Sequence, residues 1–204
     1  IRNLSNSKGF PTNAIYGFIL MLRKLLEQEN PEYLAVTFDP FGEPEPTFRT
    51  EMFPEYKANR SEMPDDLRVQ LPYFTKFVEA MSIPILKVPG VEADDVIATL
   101  TRQSLSDEDW DICIVSADKD LLQLLGDERV RMIDTMRDKT YTAKEAHEKF
   151  GVEPEKIKYV MALWGDSSDN VPGVPGIGQK TGAELINEFG DLETLLDNID
   201  KVSG

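Results

Sequence analysis

The sequence predicts an α/β fold, in which a mainly parallel central sheet flanked by helices is followed by a smaller helical region. Three observations carry this. Short apolar runs of strand length alternate with amphipathic helical stretches through residues 1–151. Acidic residues recur at the carboxyl ends of those runs, where open parallel sheets present their ligand sites. From residue 152 onward the strand-like runs stop, and two helical stretches bracket a glycine- and proline-rich turn, Val171 to Gly178.

The elements follow in order. Pro11 to Gln28 reads as a helix, with Pro11 at its first position and Ile15, Phe18, Ile19, Leu22, Leu25 and Leu26 at three- and four-residue spacing. Tyr33 to Phe38 is a buried strand ending on Asp39. Pro40 to Pro64 has no clean period, and a segment this long without regular structure in a compact domain is usually functional or mobile. On local charge alone, its cations Arg49, Lys57 and Arg60 balance Glu51, Glu55 and Glu62. One helix is expected from Pro64 to about Met81, with Asp65 and Asp66 as first-turn acids. A strand over Ile83–Val88 leads into Gly90-Val91-Glu92-Ala93-Asp94-Asp95 and a further helix. Taken alone, Glu92, Asp94 and Asp95 are helix-capping acids facing the positive end of the helix dipole. Asp111–Ser116 is the clearest strand; it runs into Asp118-Lys119-Asp120 and a short leucine-rich helix. Val130–Ile133 is another strand, and Thr142 with Glu145 forms a capping box for a helix to about Phe150. His147, the only histidine, lies on that helix and reads as structural. Pro154 begins a helix that closes at Gly165–Asn170, the turn follows, and a helix to Phe189 and a short last one capped by Asp191 complete the chain.

Composition narrows the function classes. With 204 residues, 41% hydrophobic, the chain can bury a real core. The single cysteine, Cys113, lies in an apolar run, which fits a reducing, cytosolic compartment. No stretch has the length and apolarity of a membrane span. The net charge of −15 argues against binding nucleic acid through bulk positive charge, although local contacts stay open. The first residue is Ile1 and no apolar strand precedes the first helix, so upstream residues are expected to be missing.

The acids carry the chemistry. Asp39, Glu92, Asp94, Asp95, Asp118 and Asp120 all fall at carboxyl ends of predicted strands, and Asp166 and Asp169, three apart at a helix end, can join them. Two unit charges about 4 Å apart repel by roughly 4 kcal/mol at an effective dielectric of about 20, so such a cluster needs bound cations or protonation. Oxygen donors without histidine or cysteine select Mg²⁺ or Mn²⁺, and this many acids suggests two ions, the arrangement that clamps attacking and leaving oxygens in phosphoryl hydrolysis. Gly173, Gly176 and Gly178 allow backbone N–H groups to approach a phosphate, with Lys180 adding charge at the following helix N-terminus. Such a turn between helices looks like a helix-hairpin-helix element, which grips a DNA backbone without reading sequence.

Taken together, Phe38-Asp39, Thr47-Phe48-Arg49, Tyr56-Lys57-Ala58-Asn59-Arg60, Met63 to Leu67, Gly90 to Asp95, Ser116 to Asp120 and Gly165 through Thr181 resemble the 5′-nuclease domains of bacterial DNA polymerase I. Those domains belong to the flap endonuclease and 5′→3′ exonuclease family, and the resemblance covers nearly the whole chain. It implies a PIN-like nuclease core over 1–151 and a helix-three-turn-helix DNA-binding region over 152–204. It further implies that residues 40–64 arch over the active site, that Lys57 and Arg60 orient the scissile phosphate, and that Tyr56 stacks on a base or supports the arch. With Gly173, Gly176, Gly178, Lys180 and Thr181 these would form the DNA contacts. Asp118 would be central to catalysis among the metal-binding acids.

The same resemblance implies a bacterial cytoplasmic enzyme that cuts DNA at 5′ flaps or single-stranded 5′ ends in primer removal and repair, with a polymerase domain possible beyond Gly204. The family's first strand, with a further metal-binding Asp, would lie upstream of Ile1, and a polypeptide lacking it is expected to bind metal weakly. The acidic Phe41–Pro46 insert is slightly longer than the family pattern. Two rival readings are a non-catalytic DNA-binding remnant of the fold and an RNA-processing PIN-like nuclease.

Overall fold

A computed structural model describes residues 4–39 and 46–202. The chain divides into two compact units, Ile1–Met52 with Ser61–Val96, and Phe53–Arg60 with Ile97–Gly204.

In the first unit, helix α1 spans Asn13–Glu29 and ends at Asn30 in the left-handed conformation, with its N–H bonded to the Leu26 carbonyl. Pro11 is therefore not in the first helical turn. It pairs instead with Ser5 in an isolated bridge, and the Asn6 side chain accepts from the N–H groups of Lys8 and Phe10 to close the loop between them. Strand β1 (Val36–Thr37) pairs in parallel with β2 (Ile85–Leu86), both shorter than their apolar runs. Within the stretch read as irregular, Phe48–Met52 forms helix α2; Pro40 to Glu45 lie outside the described residues.

The single helix expected over 64–81 is two: α3 (Asp65–Arg68) and α4 (Leu71–Ala80). Pro72 supplies the reason, since it has no N–H for the carbonyl four residues back and its ring crowds that turn. The break is put to use. Gln70, fully buried between the two helices, accepts at Oε1 from the Ala14 and Ile15 N–H groups and donates through Nε2 to Asn13 and to the Asp66 carbonyl. Thr12 makes no side-chain cap, so a residue 55 or more positions away satisfies the first turn of α1. Phe18 packs on Phe74, with ring centroids 4.9 Å apart, and Leu22, Leu25 and Val78 are buried. Helix α5 (Ala93–Ser104) starts in this unit.

In the second unit, β3 (Ile112–Val115) pairs in parallel with β4 (Val130–Asp134), which pairs antiparallel with β5 (Lys139–Tyr141). Strand β5 has no apolar run of its own and was not expected; the turn before it is set by Asp134. That buried carboxylate accepts from the Met136 and Arg137 N–H groups at 2.9 and 3.0 Å and from the Arg137 guanidinium at 2.5 Å. The leucine-rich segment after β3 is a 3₁₀ turn, Lys119–Leu124, that buries Leu121 and Leu122. Helix α6 (Ala143–Phe150) opens on the expected capping box and ends at Gly151 with φ +76°. Helix α7 (Ile157–Trp164) follows a 3₁₀ turn at Pro154–Lys156, and α8 (Gln179–Phe189) packs against α7. Asp191 caps α9 (Leu192–Asp197) through the Thr194 N–H at 2.7 Å. One core, including Leu122, Leu125, Met132, Ile157, Val160 and Ile186, joins sheet and helices in this unit.

Two consequences can be measured. Gln70→Leu leaves two N–H groups of α1 without an acceptor, and urea unfolding should show a loss of about 2 kcal/mol; an unchanged midpoint would refute the capping role. Burial raises the Asp134 carboxyl, but the Arg137 side chain and the two backbone N–H groups outweigh it and hold the group below its ordinary value of 3.8. A carboxyl held low in the folded state binds fewer protons than in the unfolded chain, so its stabilisation is present above that ordinary value and lost as pH falls below it. Asp134→Asn should therefore lower stability near neutrality and flatten the acid limb of a stability–pH curve.

Candidate active site

Four of the eight candidate acids are brought together in the second unit. Asp118 and Asp120 flank Lys119 where β3 gives way to the 3₁₀ turn, and the Asp118 side chain caps that turn by accepting from the Asp120 N–H at 2.9 Å. Asp166 and Asp169 come from the loop after α7. That loop is closed by reciprocal backbone bonds between Asp166 and Val171, both 2.8 Å, and by the Ser168 N–H on the Asp166 carboxylate. All four acids line one cavity of about 270 Å³, together with Arg60, Lys119, Arg137 and Lys149.

Asp120 is the most exceptional of them. Its Oδ1 is buried without a hydrogen-bond partner, and its pKa is pushed up to about 6, by burial first and then by the carboxylates of Asp118 and Asp166. Asp166 is the opposite case: burial acts to raise it, yet the Lys119 ammonium at 3.0 Å and the Ser168 N–H hold it low. Asp169 accepts from Arg60 at 2.6 Å and from the Tyr56 hydroxyl at 3.0 Å, with the Lys57 ammonium 3.9 Å away. Lys149 is held below its ordinary value by burial and by repulsion from Arg137, Lys119 and Lys139.

The other four acids lie in the first unit. Asp39 is exposed and accepts from the Ala93 N–H at 2.8 Å, at the start of α5. Asp95 takes a bidentate bond from Arg49 at 2.6 and 2.7 Å and also accepts from the Glu92 N–H, while Glu92 stands 3.9 Å from the same guanidinium. Asp94 is half-buried in the first turn of α5. As they stand, no three acids among the described residues are close enough together to hold one ion; several are held by cations of the protein itself.

The donor chemistry of the second-unit cavity nevertheless suits a divalent cation. Four carboxylates with neither thiolate nor imidazole are the donors hard ions take, and the buried Asp120 Oδ1 is an acceptor without a hydrogen-bond partner.

In the turn between α7 and α8, the three glycines differ. A Cβ on Gly173 would meet the Trp164 carbonyl oxygen at 2.1 Å, so its small size serves backbone packing inside the turn. Gly176, at φ +84°, and Gly178 have open space around them. Lys180 is exposed on the first turn of α8, 3.9 Å from Glu184, and Thr181 is exposed beside it. Lys119, Arg137, Lys149, Asn59 and Asn170 were not singled out from the sequence. Only Lys119, set between two candidate acids, carried a signal that could have found it.

Comparison with known proteins decides the family. Residues 1–151 match the model described as 5′-3′ exonuclease, N-terminal resolvase-like domain, and residues 152–204 match the 5′-3′ exonuclease, C-terminal SAM fold. The chain belongs to the 5′-3′ exonuclease family. A 5′-3′ exonuclease of Aquifex aeolicus is 46% identical over 97% of this chain and 67% of its own length. DNA polymerase I of Bacillus subtilis is 42% identical over 98% of this chain, which spans 23% of that protein. Among solved structures, a bacteriophage T5 flap endonuclease complex with DNA and metal ions is 25% identical, with a TM-score of 0.76 over 95% of this chain and 72% of that one. The expected α/β core followed by a helical region is borne out. No helix among the described residues is long and apolar enough to cross a membrane.

If the cavity is a cation site, neutralising its least satisfied acid should relieve repulsion when no ion is present. Asp120→Asn should melt higher than wild type in chelator. Millimolar divalent cation should raise the wild-type Tm by about 3 °C or more and the variant's by less than half as much. Equal gains in both proteins would place the ion elsewhere.

Proposed function

We propose that this chain hydrolyses DNA phosphodiester bonds at 5′ ends and 5′ flaps, with Mg²⁺ or Mn²⁺, two ions in the working state, as the metal cofactor. The observation that carries this is the buried, unpartnered carboxylate oxygen of Asp120 in a cavity shared with Asp118, Asp166 and Asp169. Membership of a nuclease family, with a DNA- and metal-bound structural relative, supports the reading.

Asp118, Asp120, Asp166 and Asp169 are the oxygen ligands this reading takes from the second unit, and Asp39, Glu92, Asp94 and Asp95 are those it takes from the first. Bound ions supply an activated water and stabilise the departing oxygen. The chain's own cations do the remaining work. Arg60 and Lys57 turn from Asp169 to the scissile phosphate once the carboxylate is engaged, with Arg60 offering a planar fork of donors and Lys57 a point charge. Lys119 stays on Asp166 and, with the Ser168 N–H, outweighs the burial that would raise that acid. Tyr56 supports the segment that carries both cations.

Residues 1–151 are the nuclease core in this reading, with the described residues 46–64 in the arch, and residues 152–204 the DNA-binding region. There Gly176 and Gly178 expose backbone N–H groups, Gly173 shapes the turn, and Lys180 and Thr181 flank the phosphate. The same sequence unit occurs in a relative named 5′-3′ exonuclease and in much longer relatives named DNA polymerase I, so a fused polymerase is the partner domain this reading favours.

Cleavage of a labelled 5′-flap duplex with and without Mg²⁺ tests the reading. Asp118→Asn should abolish cutting while leaving most of the binding. Lys180→Ala should chiefly weaken binding and reduce the salt slope by about one charge. Metal-independent binding without cleavage would identify a binding module instead, and preference for a matched RNA flap would move the substrate class to RNA.

A further inference from the structure

Residues Phe53–Arg60, which carry both candidate phosphate-orienting cations, are tied to the loop after α7 by four bonds that involve none of its carboxylates, the longest from Arg60 Nε to the Ser168 carbonyl at 3.5 Å. The Asn170 side-chain amide donates to the Glu55 carbonyl at 2.7 Å, the Lys57 N–H donates to the Asp169 carbonyl at 2.9 Å, and the Asn59 amide donates to the Ser167 carbonyl at 2.7 Å. On either side of this junction stands a non-glycine residue in the left-handed region, Lys57 at φ 58° and Asn170 at φ 59°. Asparagine tolerates that conformation, but lysine rarely adopts it unless its surroundings impose it. The bonds Arg60 and Tyr56 make to the Asp169 carboxylate are of a different kind, because a ligand taking that carboxylate would break them.

We propose that Asn59 and Asn170 are positioning residues for phosphodiester cleavage. They clamp the Tyr56–Arg60 segment to the loop through backbone carbonyls, so that the backbone bearing Lys57 and Arg60 keeps its place while their side chains turn from an occupied Asp169 carboxylate. Neither asparagine touches the reacting atoms. The clamp lies wholly within one compact unit and joins the chain's two cation-bearing and acid-bearing segments without using either charge. This rests on the reading that Lys57 and Arg60 work at the scissile phosphate.

The test uses full-length protein, Mg²⁺ and a 5′-flap oligonucleotide. Asn170→Gly keeps the left-handed backbone and removes only the amide; Asn59→Ala removes the second donor. Each should lower kcat about tenfold with KM changed by less than about twofold, since a lost hydrogen bond here misplaces groups needed at the transition state. Trypsin should cut after Lys57 and Arg60 about tenfold faster in each variant, at an unchanged urea midpoint. In a Lys57→Ala/Arg60→Ala background, Asn170→Gly should change kcat by less than about twofold, because the groups it positions are gone. Wild-type kcat and wild-type proteolysis in Asn170→Gly would overturn the clamp. A tenfold loss that persists without Lys57 and Arg60 would overturn the positioning role. If Lys57→Ala/Arg60→Ala itself cuts like wild type, the reading beneath the proposal fails, and the proteolysis comparison still decides whether the clamp exists.

Discussion

The second compact unit is organised around a repulsion it does not fully relieve. Asp118, Asp120, Asp166 and Asp169 share one cavity, and of these Asp120 keeps a buried oxygen without a partner. Burying a carboxylate without compensation is among the costlier things a fold can do. The surrounding structure limits that cost. Lys119 answers Asp166, Arg60 answers Asp169, and a 3₁₀ turn lets Asp118 cap the Asp120 N–H. Asp120 takes the remainder as a raised pKa. An arrangement held this close to protonation is one that a bound cation would stabilise.

Holding four like charges in place requires a stiff base, and packing beneath the cavity provides it. Leu121 and Leu122, which immediately follow Asp120, are 3% and 0% exposed, so the residues that present the acids are anchored from below. On the other side, Gly165 and Gly173 let the start of the Asp166–Asp169 loop lie directly against the turn that leads to α8; a Cβ on either would stand within 2.3 Å of a backbone atom. The shape of the acid-bearing loop is thus coupled to the shape of the glycine-rich turn. Substituting either glycine would disturb both at once, and this explains small residues that charge arguments alone leave unaccounted for.

Much of this was legible in the sequence, and what was not has identifiable causes. Strand–helix alternation, the acids at strand ends and the capping box at Thr142–Glu145 are local patterns, and the fold keeps them. The break between α3 and α4 was equally local, since Pro72 announces it, but the apolar spacing across 67–81 outweighed a single proline in the reading. Gln70 could not have been found that way, because the α1 N–H groups it caps lie 55 and 56 residues upstream. Strand β5 was missed for a related reason: it is a polar edge strand defined by pairing with β4 and by the Asp134 turn, not by its own hydrophobicity. Among site residues, the acids announced themselves by density. Asn59 and Asn170 did not, since an asparagine's bond to a distant carbonyl leaves no periodic trace.

The net charge of −15 opposes DNA binding through bulk charge, and the cavity resolves part of that tension. Its four acids are lined up with four cations, Arg60, Lys119, Arg137 and Lys149, so the site is formally neutral although the chain is not. Lys149, held low by burial and by the cations around it, would be relieved by an anion, much as Asp120 would be by a cation. A divalent ion bound by the acids would tip this balance positive within the cavity. Screening then confines the repulsion from the rest of the surface to about 10 Å at ordinary ionic strength, while the short-range pairs in the cavity persist. Specificity for a phosphate backbone can therefore arise locally in an acidic protein, provided the ion arrives before or with the substrate.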